Sequence, residues 1–115
     1  MARYRLSEPA KSDLSTVLRA SEVMHGVNAR TRYRALLSAA LRRISSGPLG
    51  HSTVDRSELI PGVRSFHIRH CRTSSDEARV ADPVHVIFYR VVEPGLVEIL
   101  RLLHKRMEPS RHVGN

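Results

Sequence analysis

Cysteine, tryptophan and lysine are all scarce in this chain of 115 residues. It has one cysteine, Cys71, and no tryptophan. A single thiol cannot form an intramolecular disulfide, which is typical of proteins in a reducing cytoplasm. Aromatic residues make up only 4% of the chain. Because single-stranded nucleic-acid binders usually stack bases on several aromatic rings, this scarcity argues against such a module.

Long hydrophobic runs are also missing. The start of the chain has no apolar run of signal-peptide length, and no segment approaches the ~20 apolar residues of a membrane-spanning helix. We therefore expect a soluble, cytoplasmic protein with no membrane partner. With 41% hydrophobic residues, residues 1–115 are predicted to form one domain around its own core.

Positive charge is the unusual property of the composition. Lys and Arg number 19 against 11 Asp and Glu, which gives a formal net charge of +8. All the basic residues except Lys11 and Lys105 are arginines. Arginine presents a planar fork that pairs with carboxylate or phosphate. This excess predicts an acidic partner, either nucleic acid or an acidic protein segment, and the alternative is a solvated basic surface.

The most strongly apolar part of the chain is predicted to be the centre of a sheet. Residues 85–91 and 96–103 are apolar runs on either side of Pro94-Gly95. Proline and glycine in this order favour a type II turn. Apolar residues occupy both alternating sets of positions in each run, which is typical of strands covered on both faces.

Two helices are predicted to precede these strands. Ser7 is a suitable N-cap for the first helix and Gly26 a suitable stop, while Asn28 is a suitable N-cap for the second. A linker of about three residues predicts an antiparallel helix hairpin on one face of the sheet. The second helix carries an apolar stripe at helical spacing, made of Tyr33, Leu36, Leu37, Ala40, Leu41 and Ile44.

The remaining segments complete the predicted fold. Residues 3–7 and 63–71 are predicted strands, residues 49–61 have no period and predict a loop, and residues 72–83 are polar and predict a long connection. The fold class is therefore α+β: an N-terminal strand, an antiparallel helix hairpin, and then a three-stranded antiparallel meander, forming one sheet.

Few motifs in the sequence carry chemistry. There is no glycine-rich phosphate loop, CxxC pair or nucleophile elbow. His67 and His70 are three residues apart on a predicted strand and should point to opposite faces, so we expect no metal site and no cofactor. Arg101, His104 and Arg106 remain, at the end of the last strand. They could bind a phosphodiester with His104 as general acid, or form an electrostatic contact with a partner, and we favour the contact.

Four segments resemble one family in the right order along nearly the whole chain. They are residues 4–14 (YRLSEPAKSDL), 61–65 (PGVRS), 85–91 (HVIFYRV) and 99–112 (ILRLLHKRMEPSRH). Together they resemble the RelE/ParE superfamily of bacterial toxin–antitoxin systems, and within it the ParE branch. The RelE branch uses several lysines with a C-terminal tyrosine or histidine. This chain has only Lys105 outside the first helix and no tyrosine after Tyr89, which favours ParE.

The resemblance implies a toxin that inhibits DNA gyrase by binding, causes growth arrest and is neutralised by an acidic, ParD-like antitoxin in a hetero-oligomer. Direct sequence-specific binding of nucleic acid is not expected. The alternative is a RelE-like, ribosome-dependent mRNA endonuclease. In that case Arg101, His104 and Arg106 are the candidate catalytic residues.

Two sets of residues are predicted to bind the partners. The gyrase-binding set lies at the end of the last strand and in the tail: Arg101, His104, Arg106, Met107 and Arg111. The antitoxin-binding set consists of arginines on the second helix and the sheet: Arg30, Arg34, Arg64, Arg69 and Arg90. Because the last strand is predicted to end before Arg106, we expect residues 106–113 to matter more for toxicity than for folding.

Overall fold

The computed structural model describes residues 2–71, 80 and 82–114. Within these ranges the chain forms two helices, five strands and two short 3₁₀ turns. The elements are β1 (Arg3–Leu6), α1 (Glu8–His25), α2 (Val27–Ser46), β2 (Thr53–Asp55), β3 (Val63–His67), a 3₁₀ turn (Ile68–Cys71), β4 (His85–Glu93), β5 (Leu96–His104) and a second 3₁₀ turn (Pro109–Arg111). The predicted long connection over 72–83 lies largely outside the described residues.

The five strands form one mixed sheet in the order β1-β5-β4-β3-β2. The predicted three-stranded antiparallel meander is therefore wrong. The pairs β3–β4 and β4–β5 are antiparallel, as predicted. However, β1 pairs with β5 in parallel, and β2 adds an antiparallel edge strand next to β3. The central strands β4 and β5 carry the two apolar runs, so the sequence placed the middle of the sheet correctly.

The two missed features have physical reasons. The parallel pairing joins opposite ends of the chain, with Arg3 N donating to Gly95 O at 2.8 Å and Ser7 N to Ile99 O at 3.0 Å. No local pattern specifies such a contact. β2 lies in the predicted loop, and its three residues are too few for an alternating pattern. It follows Ser52, which has a positive φ of 75°.

Ser7 and Gly26 fix the two ends of α1, the first helix of the hairpin. Ser7 Oγ accepts a hydrogen bond from Ala10 N at 3.1 Å and donates one to Leu100 O at 2.8 Å, so the N-cap of α1 also attaches it to β5. Gly26, with φ 93°, is the whole linker. α2 begins at Val27, so the predicted cap at Asn28 is wrong. In the described part of the chain, no helix has the length and apolarity needed to span a membrane.

The helices cover one face of the sheet. The predicted stripe of α2 is buried there, together with Ala10 of α1. Its partners from the sheet are the inward side chains of β3, β4 and β5, and they include Tyr89, whose hydroxyl donates to Pro48 O at 2.5 Å. This bond ties the loop after α2 to the centre of the sheet. The buried sheet residues of this cluster are Phe66, Ile87, Tyr89, Val97, Ile99 and Leu102.

The opposite face of the sheet is covered by the C-terminal tail. Val113 is 4% exposed and packs with buried Val63, Phe88 and Leu103. Leu59 and Ile60, from the segment after β2, pack against the same cluster. The expectation that the core closes without the tail is therefore wrong, because Val113 is part of the core. The strand pattern still indicated the need for such a cover, since β4 and β5 are apolar on both faces.

Removing the buried methyl groups of Val113 should destabilise the fold. We expect Val113→Ala to lower the free energy of unfolding by about 1–3 kcal/mol, because it leaves a cavity between the tail and the sheet. Met107→Ala is the matched control in the same tail, where the side chain is 47% exposed, and should change it by less than ~0.5 kcal/mol. Urea denaturation measures both. Equal effects of the two substitutions would show that the tail is not anchored through Val113.

Candidate functional site

The end of β5 extends beyond β1 and is completed by Asp13 of α1. β1 pairs with β5 only as far as Ile99, so Leu102 N has no strand neighbour on that side. Asp13 Oδ2 accepts from Leu102 N at 2.9 Å. The carboxylate thus replaces a strand neighbour for one backbone N–H that would otherwise be left unpaired in a partly buried position.

The same carboxylate holds Arg101. Arg101 Nε donates to Asp13 Oδ2 at 2.8 Å, and Nη2 donates to Oδ1 at 3.0 Å, which is a bidentate pair. The side chains of Arg101 and Asp13 are 24% and 16% exposed, and the bonds to Asp13 raise the pKa of Arg101. Arg101 Nη1 donates to His112 O at 3.1 Å. Arg101 therefore connects α1, β5 and the tail.

Arg101 and His104 lie on different faces of the sheet. A register shift at Leu100 places Arg101 opposite Phe88, which belongs to the cluster under the tail. His104 is opposite His85, and their rings meet edge to face with centroids 5.7 Å apart. His85 contacts Tyr33 of α2, so these histidines face the helices. The candidate catalytic set of Arg101, His104 and Arg106 is thus not gathered around one point.

The ring of His85 contacts the hydroxyl of Tyr33. Tyr33 OH accepts from Val84 N at 3.3 Å and lies 2.5 Å from His85 Nδ1. When the hydroxyl donates to Nδ1, the proton of the neutral ring is on Nε2. The pKa of His85 falls from 6.5 to about 4, first because the ring is buried and then because His104 and His67 add positive charge, while Asp13 acts in the opposite direction.

The ring of His104 is also held through Nδ1, at the end of β5. Its Nδ1 accepts from Arg106 N at 3.1 Å, and its carbonyl accepts from Met107 N at 2.9 Å. These bonds form the tight turn that starts the tail. The side chains of Arg106, Met107 and Arg111 then lie exposed. Four of the five predicted gyrase-binding residues, all but Arg101, therefore lie along one continuous segment, while Arg101 holds that segment through His112 O.

A family model for the ParE toxin of type II toxin–antitoxin systems, parDE, matches residues 4–109. The chain belongs to the ParE toxin family. It is 36% identical over 115 residues to Toxin ParE1 of Caulobacter vibrioides, and the alignment covers 99% of this chain and 100% of that protein. It is 27% identical over 112 residues to Toxin ParE1 of Mycobacterium tuberculosis, covering 97% and 98%. The family resemblance found in the sequence is confirmed, and a type II system implies an antitoxin partner.

The arginines predicted to bind the antitoxin of this ParE toxin differ in exposure and in the partners that they already have. Arg30 of α2 is paired with Glu22 at 3.3 Å, and Arg90 of β4 with Glu98 at 2.9 Å. Arg64 is half-buried on β3, where its Nη2 donates to Thr53 Oγ1 at 2.9 Å and its Nε is buried without a hydrogen-bond partner. Arg34 and Arg69 are exposed and form no ion pair with any residue the structure describes. Their assignment to the antitoxin stays a prediction.

Sequence reasoning missed two features of this ParE chain. Asp13 was present in the family motif at residues 4–14, but nothing local showed that it caps β5. His67 and His70 were predicted to share one strand, but β3 ends at His67 and His70 lies in the 3₁₀ turn that follows, and both side chains line one pocket. Among the described residues, no group of three or more His, Cys, Asp or Glu could hold a metal ion.

Breaking the Asp13–Arg101 pair should cost much more stability than breaking an exposed pair. We expect Asp13→Asn to lower the free energy of unfolding by about 1–3 kcal/mol, because Arg101 is left half-buried beside a neutral group. Glu8→Gln, which removes the exposed pair with Lys11, should change it by less than ~0.5 kcal/mol. A double-mutant cycle that combines Asp13→Asn with Arg101→Met isolates the coupling free energy between the two side chains. A coupling near zero would contradict the role assigned to the pair.

His85 should make the fold less stable in mild acid. Its pKa is about 4 when folded and near 6.5 in the unfolded chain, so the unfolded chain binds the proton first as pH falls. The contribution of the neutral His85 ring to the free energy of unfolding is therefore complete above about pH 6.5 and is lost as the pH falls towards 4. His85→Asn keeps an acceptor for the Tyr33 hydroxyl and removes the titration. Urea denaturation at about pH 7.5 and pH 5 should show a loss smaller by roughly 1 kcal/mol in the variant. Equal losses would contradict the assignment.

Proposed function

We propose that this ParE toxin inhibits DNA gyrase by binding to it in the bacterial cytoplasm, and that a ParD-like antitoxin neutralises it. The observation that carries the proposal is the commitment of Arg101 to Asp13 and His112 O. A guanidinium held by three hydrogen bonds is not available to stabilise charge on a substrate. This arrangement favours a role in positioning the tail over a role in catalysis.

The exposed part of the tail suits contact with a protein. Arg106, Met107 and Arg111 combine two cations and a flexible apolar side chain on an exposed segment. Such mixtures of arginine and apolar groups are typical of the energetically important parts of interfaces. Val113 packs against the sheet and Arg101 donates to the carbonyl of His112, so the end of this segment is held in place before any partner binds. Binding therefore loses little conformational entropy in the tail.

The antitoxin is proposed to contribute an acidic segment. With a net charge of +8, electrostatic attraction should favour association with an acidic partner. Arg34 and Arg69 are exposed and pair with no carboxylate among the residues that the structure describes, whereas Arg30 and Arg90 already pair with Glu22 and Glu98. An acidic segment would therefore gain more from the first two arginines than from the others.

The deciding experiment compares two targets with one protein preparation. We expect the purified toxin to inhibit supercoiling by DNA gyrase, an added acidic antitoxin from the same system to relieve the inhibition, and ribosome-bound mRNA to stay intact. His104→Ala should keep most of the inhibition, because on this proposal His104 shapes the turn and transfers no proton. On the nuclease alternative, loss of a general acid would lower the cleavage rate by roughly 10²–10⁴-fold.

Two results would contradict the proposal. One is cleavage of mRNA on ribosomes by the wild-type toxin with no effect on gyrase. The other is a His104→Ala protein that unfolds in urea like the wild type and still inhibits gyrase but no longer arrests growth, which would show that growth arrest does not come from gyrase. The turn can be checked in that variant from the hydrogen-exchange rate of Met107 N, which donates to the backbone and not to the ring.

A further inference from the structure

A pocket of about 300 Å³ lies at the end of β3, apart from the exposed tail. It opens between the 3₁₀ turn after β3, the residues before β4 and the turn after β5. Four of its six lining residues are basic or imidazole side chains and one is a carboxylate. The lining residues are His67, Arg69, His70, Asp82, Pro83 and Lys105.

Hydrogen bonds hold the walls of this pocket in place. His67 Nδ1 accepts from Arg69 N at 3.1 Å, so the proton of the neutral ring is on Nε2. The carbonyl of His70 accepts from Arg43 Nη1 at 2.8 Å. Lys105 N donates to Val84 O at 2.7 Å, which holds the turn after β5 against the start of β4.

The pocket has an excess of positive charge. Within the described residues, neither Arg69 nor Lys105 forms an ion pair, and Asp82 is the one carboxylate in the wall. Burial, followed by the charges of Arg69, His70 and Lys105, lowers the pKa of His67, while Asp82 acts weakly in the opposite direction. Burial and then Arg69 and Arg43 lower the pKa of His70. Cations that repel one another at one point favour the binding of an anion there.

We propose that this pocket binds a phosphate of the backbone of duplex DNA. A phosphate has enough oxygens to accept from Arg69, Lys105 and His67 Nε2 together, and arginine and lysine are the usual phosphate ligands. Duplex is favoured over single strands because the pocket offers no aromatic platform: the nearby ring of Phe66 is 1% exposed and covered by His70 and Arg43. The inference rests on the proposed function, since gyrase acts on duplex DNA.

The first test uses inorganic phosphate and NMR of the histidine rings. Phosphate should shift the ring resonances of His67 and His70 in a saturable way and raise the pKa of both, because a bound anion stabilises the protonated rings. His25, exposed at the far end of the helix hairpin, is the internal control, and its resonances should stay in place. Equal shifts at all three histidines, or none, would overturn the proposal.

The second test uses a 20-base-pair duplex and two variants of equal charge. Arg69→Gln/Lys105→Gln should weaken binding by about tenfold or more at ~0.1 M salt and reduce the slope of log K against log salt by about 1, since the pocket holds one phosphate. Arg19→Gln/Arg42→Gln removes two exposed arginines of the helices and is the matched control. If both variants lose affinity equally, the effect is one of net charge and the pocket proposal fails. Tighter binding of single-stranded RNA than of the duplex would also overturn it.

A gyrase assay separates the two proposals. The pocket variant should inhibit supercoiling at least tenfold less than the control variant. If the wild type binds duplex DNA through the pocket but leaves gyrase active, the proposed function fails and the pocket stands. If the wild type inhibits gyrase and the pocket variant binds duplex DNA as tightly as the control, the pocket fails and the function stands.

Discussion

The carboxylate of Asp13 is the contact on which much of this structure depends. It accepts a hydrogen bond from Leu102 N where β5 extends beyond β1, and it forms a bidentate pair with the guanidinium of Arg101. Arg101 in turn holds the carbonyl of His112. One acidic side chain on the first helix therefore fixes the end of the last strand and, through Arg101, the far end of the tail. Without it, a backbone N–H and a half-buried cation would both lack their partners.

This arrangement divides the arginines into two kinds. Some are tied into the fold, such as Arg101 with Asp13, and Arg90 with Glu98. Others, such as Arg106 and Arg111, are exposed on the surface. The excess of positive charge that marks the sequence thus has a structural part and a part available to partners. The available part includes the arginines of the tail, those around the pocket after β3, and exposed arginines of the helices such as Arg34.

Histidines at one end of the sheet show how the fold orients imidazole rings. His67, His85 and His104 lie at the ends of three neighbouring strands. Nδ1 of His67 accepts from Arg69 N and Nδ1 of His104 accepts from Arg106 N, while Nδ1 of His85 lies against Tyr33 OH. In His67 and His104 the backbone therefore occupies Nδ1 and leaves Nε2 to face other groups.

The sequence by itself determined the local elements and the family. Alternation on both faces placed β4 and β5 in the middle of the sheet, helical spacing gave the buried stripe of α2, and Ser7 and Gly26 marked the limits of α1. Four short motifs in the right order identified the toxin family. These inferences succeeded because each depends on residues close together in the chain.

Only the tertiary structure decided which distant residues meet. The parallel pairing of β1 with β5, the cap that Asp13 provides for Leu102, and the packing of Val113 beneath the sheet join opposite ends of the chain. The turn that brings His67 and His70 to one pocket depends on where β3 ends. In a single sequence such contacts leave no period or spacing, because their free energy comes from surfaces that become adjacent only after the chain has folded.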